Sequence, residues 1–363
     1  MNCRTRKLKN ISVIRTGKLD SNAAVENGLY PFFTCDPRTL RIDKWAYDTE
    51  AVLLAGNNAS GNYTAKYYNG KFNAYQRTYI IETSDIKILS VRFLCFAINQ
   101  QLRLLKTMSS GSTTKFLTMR MLYDLDIPCP EIEEQRRIAD ILSSYDDLIE
   151  NNQKQIKLLE EAAQRLYKEW FVDLRFPGHE NVKIMDGVPE GWEKKEVGLI
   201  IGKIARKTQI EASDYKKRGT IPIIDQSRSF IAGYTDDISS IIDVGIPVIV
   251  FGDHTRVLKY IQFPFAMGAD GTQLIISNTI NMPQSLLYCS LVNVDLSNYH
   301  YARHFKYLKA EKIVIPTENI ATRFDEIAGC FFRYIHDLRK KNILLAEARD
   351  RLLPKLMSGD IEL

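Results

Sequence analysis

The 363-residue chain is poor in cysteine, histidine and tryptophan, with six, five and three of them. Cys3, Cys35, Cys95, Cys129, Cys289 and Cys330 are scattered and form no Cys-x-x-Cys pair. A zinc site or a disulfide framework needs clustered cysteines, so neither is expected, and the six read as reduced, mostly core thiols. Long apolar runs are missing as well. Nothing approaches the roughly 18–20 residues of a membrane span, and the basic opening Met1 to Asn10 has no apolar signal core. A cytoplasmic protein with no membrane partner is expected.

Catalytic signatures are also absent. The nearest approach to the Asn/Asp-Pro-Pro-Tyr/Phe loop that holds a flipped adenine for methylation is Asp36-Pro37-Arg38, which fails. Gly70-Lys71-Phe72 lacks the first glycine and the Ser/Thr of a phosphate-cradling GxxxxGK[ST] loop. Asp186 with Glu193-Lys194-Lys195 has the letter spacing of a metal nuclease, but Pro189 and Gly191 interrupt it. His300 and His304 sit four apart, with no third ligand in view, and read as surface or DNA-facing histidines. No Ser/His/Asp or Cys/His arrangement stands out. The sequence thus offers no catalytic residue, no metal site and no cofactor site.

What the chain does have is enough apolar residues, 45%, for more than one core, so two domains are expected. The net charge of +5 is unevenly spread. Residues 1–130 hold 18 Lys+Arg against 10 Asp+Glu, a balance of +8, and residues 131–172 hold 6 against 10, a balance of −4. A basic domain beside an acidic helix suits a nucleic-acid reader whose spacer faces protein; ordinary surface scatter fits the charge equally well.

The chain also repeats itself. Tyr30-Pro31-Phe32-Phe33 is matched by Ile221-Pro222-Ile223-Ile224. The run Ala51 to Asn58, through Gly56, is matched by Pro247 to His254, through Gly252. Thr78-Tyr79-Ile80-Ile81 is matched by Thr272-Gln273-Leu274-Ile275. Asp126-Ile127-Pro128 is matched by Val314-Ile315-Pro316, and each opens a long helical stretch. The order of features is strand-rich domain, helix, strand-rich domain, helix. The predicted boundaries are 1–130, 131–172, 173–316 and 317–363, and the class is α+β.

The first helical stretch carries Tyr145, Ile149, Asn152, Ile156, Leu159, Ala163, Leu166 and Trp170 in steps of four and three. That is a coiled-coil seam, with Asn152 as a polar residue able to fix register. The second runs from about Ile320, with Ile335, Leu338, Asn342, Leu345, Arg349, Leu352 and Leu356 as its seam, and Pro354 is expected to kink or end it. Two repeats related by a pseudo-two-fold axis pack these helices antiparallel. From Tyr145 to Trp170 the seam extends ~39 Å at ~1.5 Å per residue, close to one turn of B-DNA at about 34–36 Å.

Base readout favours Arg, Asn, Gln and Lys on exposed loops, with hydroxyls and amides on phosphates. In the first repeat this selects Asn57, Asn58, Asn62, Tyr63, Gln76 and Arg77, with Thr113, Thr114 and Lys115 in a second loop. In the second repeat it selects Asp253, His254, Thr255, Arg256 and Gln273, with Arg303 and His304 in the second loop. The polar run after Gly56 also fits a plain turn between strands.

Three stretches carry a family resemblance. Glu134-Gln135-Arg136-Arg137-Ile138-Ala139-Asp140-Ile141-Leu142-Ser143, continuing to Trp170-Phe171-Val172-Asp173, resembles the central conserved region of type I restriction-modification specificity subunits. Arg349-Asp350-Arg351-Leu352-Leu353-Pro354-Lys355-Leu356 and Met357-Ser358-Gly359-Asp360-Ile361 resemble that family's close. Val188-Pro189-Glu190-Gly191-Trp192 resembles the opening of its target recognition domain; the first repeat starts at Met1 without one, and Lys7-Leu8 to Gly17 is its shortened counterpart. The resemblance implies a bacterial or archaeal, non-catalytic subunit. Each domain would read half of a bipartite, asymmetric double-stranded DNA site. The helices would set the gap and dock two methyltransferase subunits, with restriction subunits joining the complex. S-adenosylmethionine, ATP and magnesium would belong to those partners. Two other readings stand beside it: a fused modification enzyme, and a solitary chain that regulates a related complex.

Overall fold

The computed structural model describes residues 4–58, 61–109, 115–185, 187–205, 207–268, 270–299, 303–361 and 363. The chain divides into two compact units, Met1–Glu150 with Asn342–Leu363, and Asn151–Lys341. In both, mixed strands and helices follow one plan.

The first unit is built on a six-stranded sheet in the order Ser12–Thr16, Thr78–Thr83, Tyr47–Ala55, Ala65–Ala74, Tyr30–Phe33, Leu40–Ile42. The run Ala51-Val52-Leu53-Leu54-Ala55 is apolar throughout because its strand lies between two others and is covered on both faces. Tyr30–Phe33 pairs parallel to Ala65–Ala74, with Phe32 opposite Asn73. Helix Val91–Met108, capped by the Ser90 hydroxyl accepting from the Phe93 N–H, lays Phe93, Leu94, Ala97 and Ile98 into the core. Arg4–Lys7 pairs with Asp126–Cys129 and closes the domain next to the long helix.

The second unit repeats these relationships in shorter pieces. Val248–Gly252 is the buried central strand between Leu258–Ile261 and Thr272–Ser277. Ile221–Ile224 pairs parallel to Phe265–Met267, with Ile223 opposite Ala266. Helix Gln284–Val292 takes the place of Val91–Met108. Glu193–Glu196 with Lys312–Ile315 is the closing pair, as Arg4–Lys7 with Asp126–Cys129 is in the first unit. The ladders correct the repeat register by one residue. Ala55 lies opposite Thr78 and Gly252 opposite Thr272, so Gly252 is the counterpart of Ala55, not of Gly56.

Two long helices accompany these sheets, Ile132–Tyr167 and Glu318–Ser358. The first ends in a wider turn, Lys168–Val172, where the Asp173 N–H bonds the Lys168 carbonyl at 2.8 Å. Within each unit the two helices run antiparallel. In the second unit Glu160 pairs with Arg339 at 2.7 Å while Trp170 packs on Phe324. In the first, Arg349 pairs with Asp146 and Arg137 donates to the Leu363 carbonyl. The apolar steps of four and three place Ala163, Trp170, Ile335, Leu338 and Leu356 inside, while Leu158 is 63% exposed. Asn152 is buried on the same side. Pro354 does not end the second helix, which runs through it to Ser358, and Leu356 and Met357 beyond it are buried. A proline removes one helical hydrogen bond; packing of Leu356 and Met357 holds the last turn.

The Val188-Pro189-Glu190-Gly191-Trp192 stretch has a structural use. Gly191 takes φ +83°, a conformation open to glycine, and Trp192 turns in against Phe176, ring centroids 4.6 Å apart, and against Phe171 at 5.5 Å. This seats the entry of the second domain on the end of the first long helix. In the first unit the buried Gln135 does comparable joining. Its amide donates to the carbonyls of Ile88 and Pro130 and accepts from the Ser90 N–H, so a fully buried polar side chain is satisfied on both its ends.

Candidate nucleic-acid interface

The two loops selected in each repeat lie far apart in sequence and meet in space. In the first unit Asn57–Asn58 forms a short strand against Lys115–Phe116. Gly56 anchors the junction: its N–H bonds the Arg77 carbonyl and its carbonyl accepts from the Leu117 N–H, both at 2.8 Å. In the second unit Asp253 has the same pair of bonds. Its N–H reaches the Gly271 carbonyl at 2.7 Å and its carbonyl accepts from the His304 N–H at 2.9 Å. One main-chain knot thus holds three segments together in both repeats.

Side chains around the first knot fall into three groups. Tyr63 is buried, 5% exposed, and among the described residues its hydroxyl has no hydrogen-bond partner; the Asn57 Oδ1 is likewise enclosed and has none among them. Asn62 and Gln76 are exposed but engaged: Lys106 donates to the Asn62 Oδ1 at 2.8 Å, and Gln76 donates to Asp20 at 2.7 Å. The Asn58 Oδ1 accepts from the Asn62 N–H. Arg77 is exposed, and among the described residues its guanidinium has no hydrogen-bond or ion-pair partner; the same holds for the half-buried Lys115. Gln76, Arg77 and the partly exposed Phe116 line a notch of about 280 Å³. Thr113 and Thr114 lie outside the described residues.

The second knot is tighter. Asp253 and His304, read from sequence as DNA-contact candidates on exposed loops, are 4% and 5% exposed. The Asp253 carboxylate accepts from the Phe305 N–H at 2.7 Å, and each His304 ring nitrogen lies against a backbone carbonyl, of Asp253 and of Tyr299. These residues shape the loops rather than face outward. His300 lies outside the described residues. Arg256, at φ +60°, donates to the Tyr299 carbonyl at 2.7 Å. The Thr255 hydroxyl donates to the Gln226 carbonyl at 2.6 Å. His254 and Arg303 are exposed, and Gln273 is half-buried, with no side-chain partner among the described residues.

Sequence reasoning missed Gln226. Its amide accepts from the His254 N–H and donates to the Asp270 carbonyl at 2.6 Å, so it props the loop open. The available signal was its position just after the Ile221–Ile224 strand. Phe116 was also missed, although it adjoins Lys115. Among the described residues no group of three or more His, Cys, Asp or Glu could hold a metal ion, and no helix is long and apolar enough to cross a membrane.

One strand framework is used twice, and each copy ends in a knotted loop platform that carries an exposed arginine, Arg77 in the first and Arg303 in the second. Comparison with known proteins shows what the chain is similar to. Residues 2–161 match the Type I restriction modification DNA specificity domain. The EcoDI specificity subunit of Escherichia coli is 37% identical over 162 residues, 45% of this chain and 35% of that protein. The MjaIX specificity subunit of Methanocaldococcus jannaschii is 30% identical over 284 residues, 71% of this chain and 65% of that protein. The matches thus span from about a third to about two thirds of these relatives' length. The crystal structure of a type I restriction-modification S subunit from M. genitalium shares the fold, with a TM-score of 0.64 at 17% identity, covering 98% of this chain and 96% of that one. Residues 2–161 thus resemble the DNA specificity domain of type I restriction-modification systems, and the chain is similar to the specificity subunits of that family.

Proposed function

We propose that the chain is the non-catalytic DNA-reading subunit of a bacterial or archaeal type I complex, working in the cytoplasm on a bipartite, asymmetric double-stranded site. Residues 1–130 and 173–316 serve as the two target recognition domains; 131–172 and 317–363 serve as spacer helices that fix the gap and dock two methyltransferase subunits, with restriction subunits joining through the assembly. S-adenosylmethionine, ATP and magnesium are assigned to those partners. The observation that carries this reading is the repeated knot at Gly56 and Asp253, which brings two polar loops together in each repeat. A spacer role is supported by the length of the two helices, 36 and 41 residues. The exposed candidates Arg77, Lys115, His254 and Arg303 are the proposed contacts, with Asn57, Tyr63, Asp253 and His304 as the scaffold beneath them.

The test is single-molecule methylation sequencing of a host carrying this chain with its neighbouring methyltransferase gene, with and without an early stop codon in the chain. Loss of adenine methylation at a gapped motif on truncation supports the reading. Unchanged methylation instead supports a solitary or regulatory chain.

A further inference from the structure

The two repeats share a main-chain frame but differ at one position inside it. Residue 77 and residue 271 are equivalent: each precedes the threonine that opens the next strand, and each offers its carbonyl to the knot, to Gly56 and to Asp253. The first repeat has arginine there and the second has glycine. Gly271 sits at φ +83°, and a Cβ added to it would lie 2.8 Å from the His254 ring and 2.9 Å from the Gln226 amide. The space into which a side chain at 271 would project is therefore already filled. The platforms are alike in backbone and unlike in chemistry.

Arg77 has what a base-reading group needs. Its backbone is fixed, because the carbonyl takes the Gly56 N–H at 2.8 Å and the Thr78 N–H closes a turn onto the Tyr75 carbonyl at 2.8 Å. Its guanidinium is exposed and uncommitted among the described residues. Its neighbour Gln76, the other candidate on this turn, is held by Asp20 at 2.7 Å and by the Leu19 carbonyl on its N–H. A guanidinium with a fixed stem and a free fork matches the paired O6 and N7 acceptors of guanine in the major groove, and such a pair discriminates strongly against other bases. Lys115, on the adjoining segment, is a point charge better matched to phosphate.

Resting on the DNA-reading assignment above, we propose that Arg77 reads a guanine in the half-site of the first domain, and that Gly271 excludes the equivalent contact from the second. A nearly symmetric fold then requires an asymmetric site.

The experiment is methylation-motif sequencing of the chain co-expressed with its methyltransferase subunit, in a host without other adenine methylation, comparing wild type, Arg77→Ala, Arg77→Lys and His254→Ala. In Arg77→Ala one guanine of one half-site is expected to become degenerate, methylation with the other three bases there rising relative to guanine on the order of ten- to a hundredfold. The other half-site and the gap should stay unchanged. Arg77→Lys should relax the same position less, and His254→Ala, a change in the second domain, should leave that first-domain position intact whatever it does to its own half-site. Uniformly weaker methylation at an unchanged motif in Arg77→Ala would show a phosphate contact and overturn the proposal, as would relaxation in both halves. If the wild type itself yields no gapped motif, the DNA-reading assignment fails first and the proposal goes with it; that outcome is separable because it needs no variant.

Discussion

Trp170 meets Phe324 edge-on, with ring centroids 6.0 Å apart and planes at 66°. The contact joins the two long helices within the second unit, and Trp170 also touches Phe171, which packs on Trp192. One indole therefore links both helices to the entry of the second strand-rich domain. Trp170→Ala is expected to cost about 3–5 kcal/mol of stability, the range for removing a large buried aromatic. Urea unfolding followed by circular dichroism measures it; a cost below about 1 kcal/mol would show that the helix pair is held elsewhere.

The ion pairs should differ sharply in consequence. Lys259 is buried against Asp225, and its ammonium donates to the carbonyls of Asp225 and Ser229. Lys259→Met leaves the buried Asp225 without its cation and is expected to cost about 3–5 kcal/mol. Arg349, paired with Asp146 and Asp350 at a partly exposed position, should cost under about 1 kcal/mol when changed to Met. Parallel denaturant titrations of the two variants test the ranking.

The thiols should separate by reactivity. Burial pushes Cys95 up to about 12 and Cys289 higher still, whereas Cys330 is exposed. A maleimide at neutral pH should label Cys330 in the native protein and reach Cys95 and Cys289 only on unfolding. The raised folded-state values also set a sign. Between the ordinary thiol value of 9.0 and about 12 the unfolded chain has released protons that the folded Cys95 still holds, so stability falls as pH rises through that window. Cys95→Ala should flatten that fall, measured by thermal unfolding across the alkaline range.

On the proposed DNA surface, Lys115 and Arg303 are cations of the second loops with no hydrogen-bond or ion-pair partner among the described residues. Lys115→Ala and Arg303→Ala should each weaken DNA binding by the methyltransferase-loaded complex across all sequences. Each should also reduce the slope of log K against log salt by about 1. A loss confined to one base position would reassign that residue to base reading.

Much of this architecture was legible in the sequence, and the failures have physical causes. The duplication could be read because a strand covered on both faces must be apolar throughout, as in Leu53-Leu54-Ala55 and Val250-Phe251. The helices could be read because antiparallel packing demands covered residues in steps of four and three. The one-residue slip in the repeat arose because Gly56 and Gly252 both follow an apolar run, whereas only the ladder fixes which is opposite the threonine. Asp253 and His304 are polar residues on loops and read as surface. Their partners lie about fifty residues away, in a knot that local pattern does not contain. Pro354 read as a kink or an end, and the helix does not end there because Leu356 and Met357 beyond it are buried, a tertiary effect.

The central claim is that each repeat reads its own half of one DNA site. Its most direct test is to replace residues 173–316 with the corresponding segment of a type I specificity subunit and sequence the methylated motif of the hybrid, co-expressed with the same methyltransferase subunit. The account predicts one new half-site, with the other half-site and the gap retained. A hybrid whose two half-sites change together would contradict it.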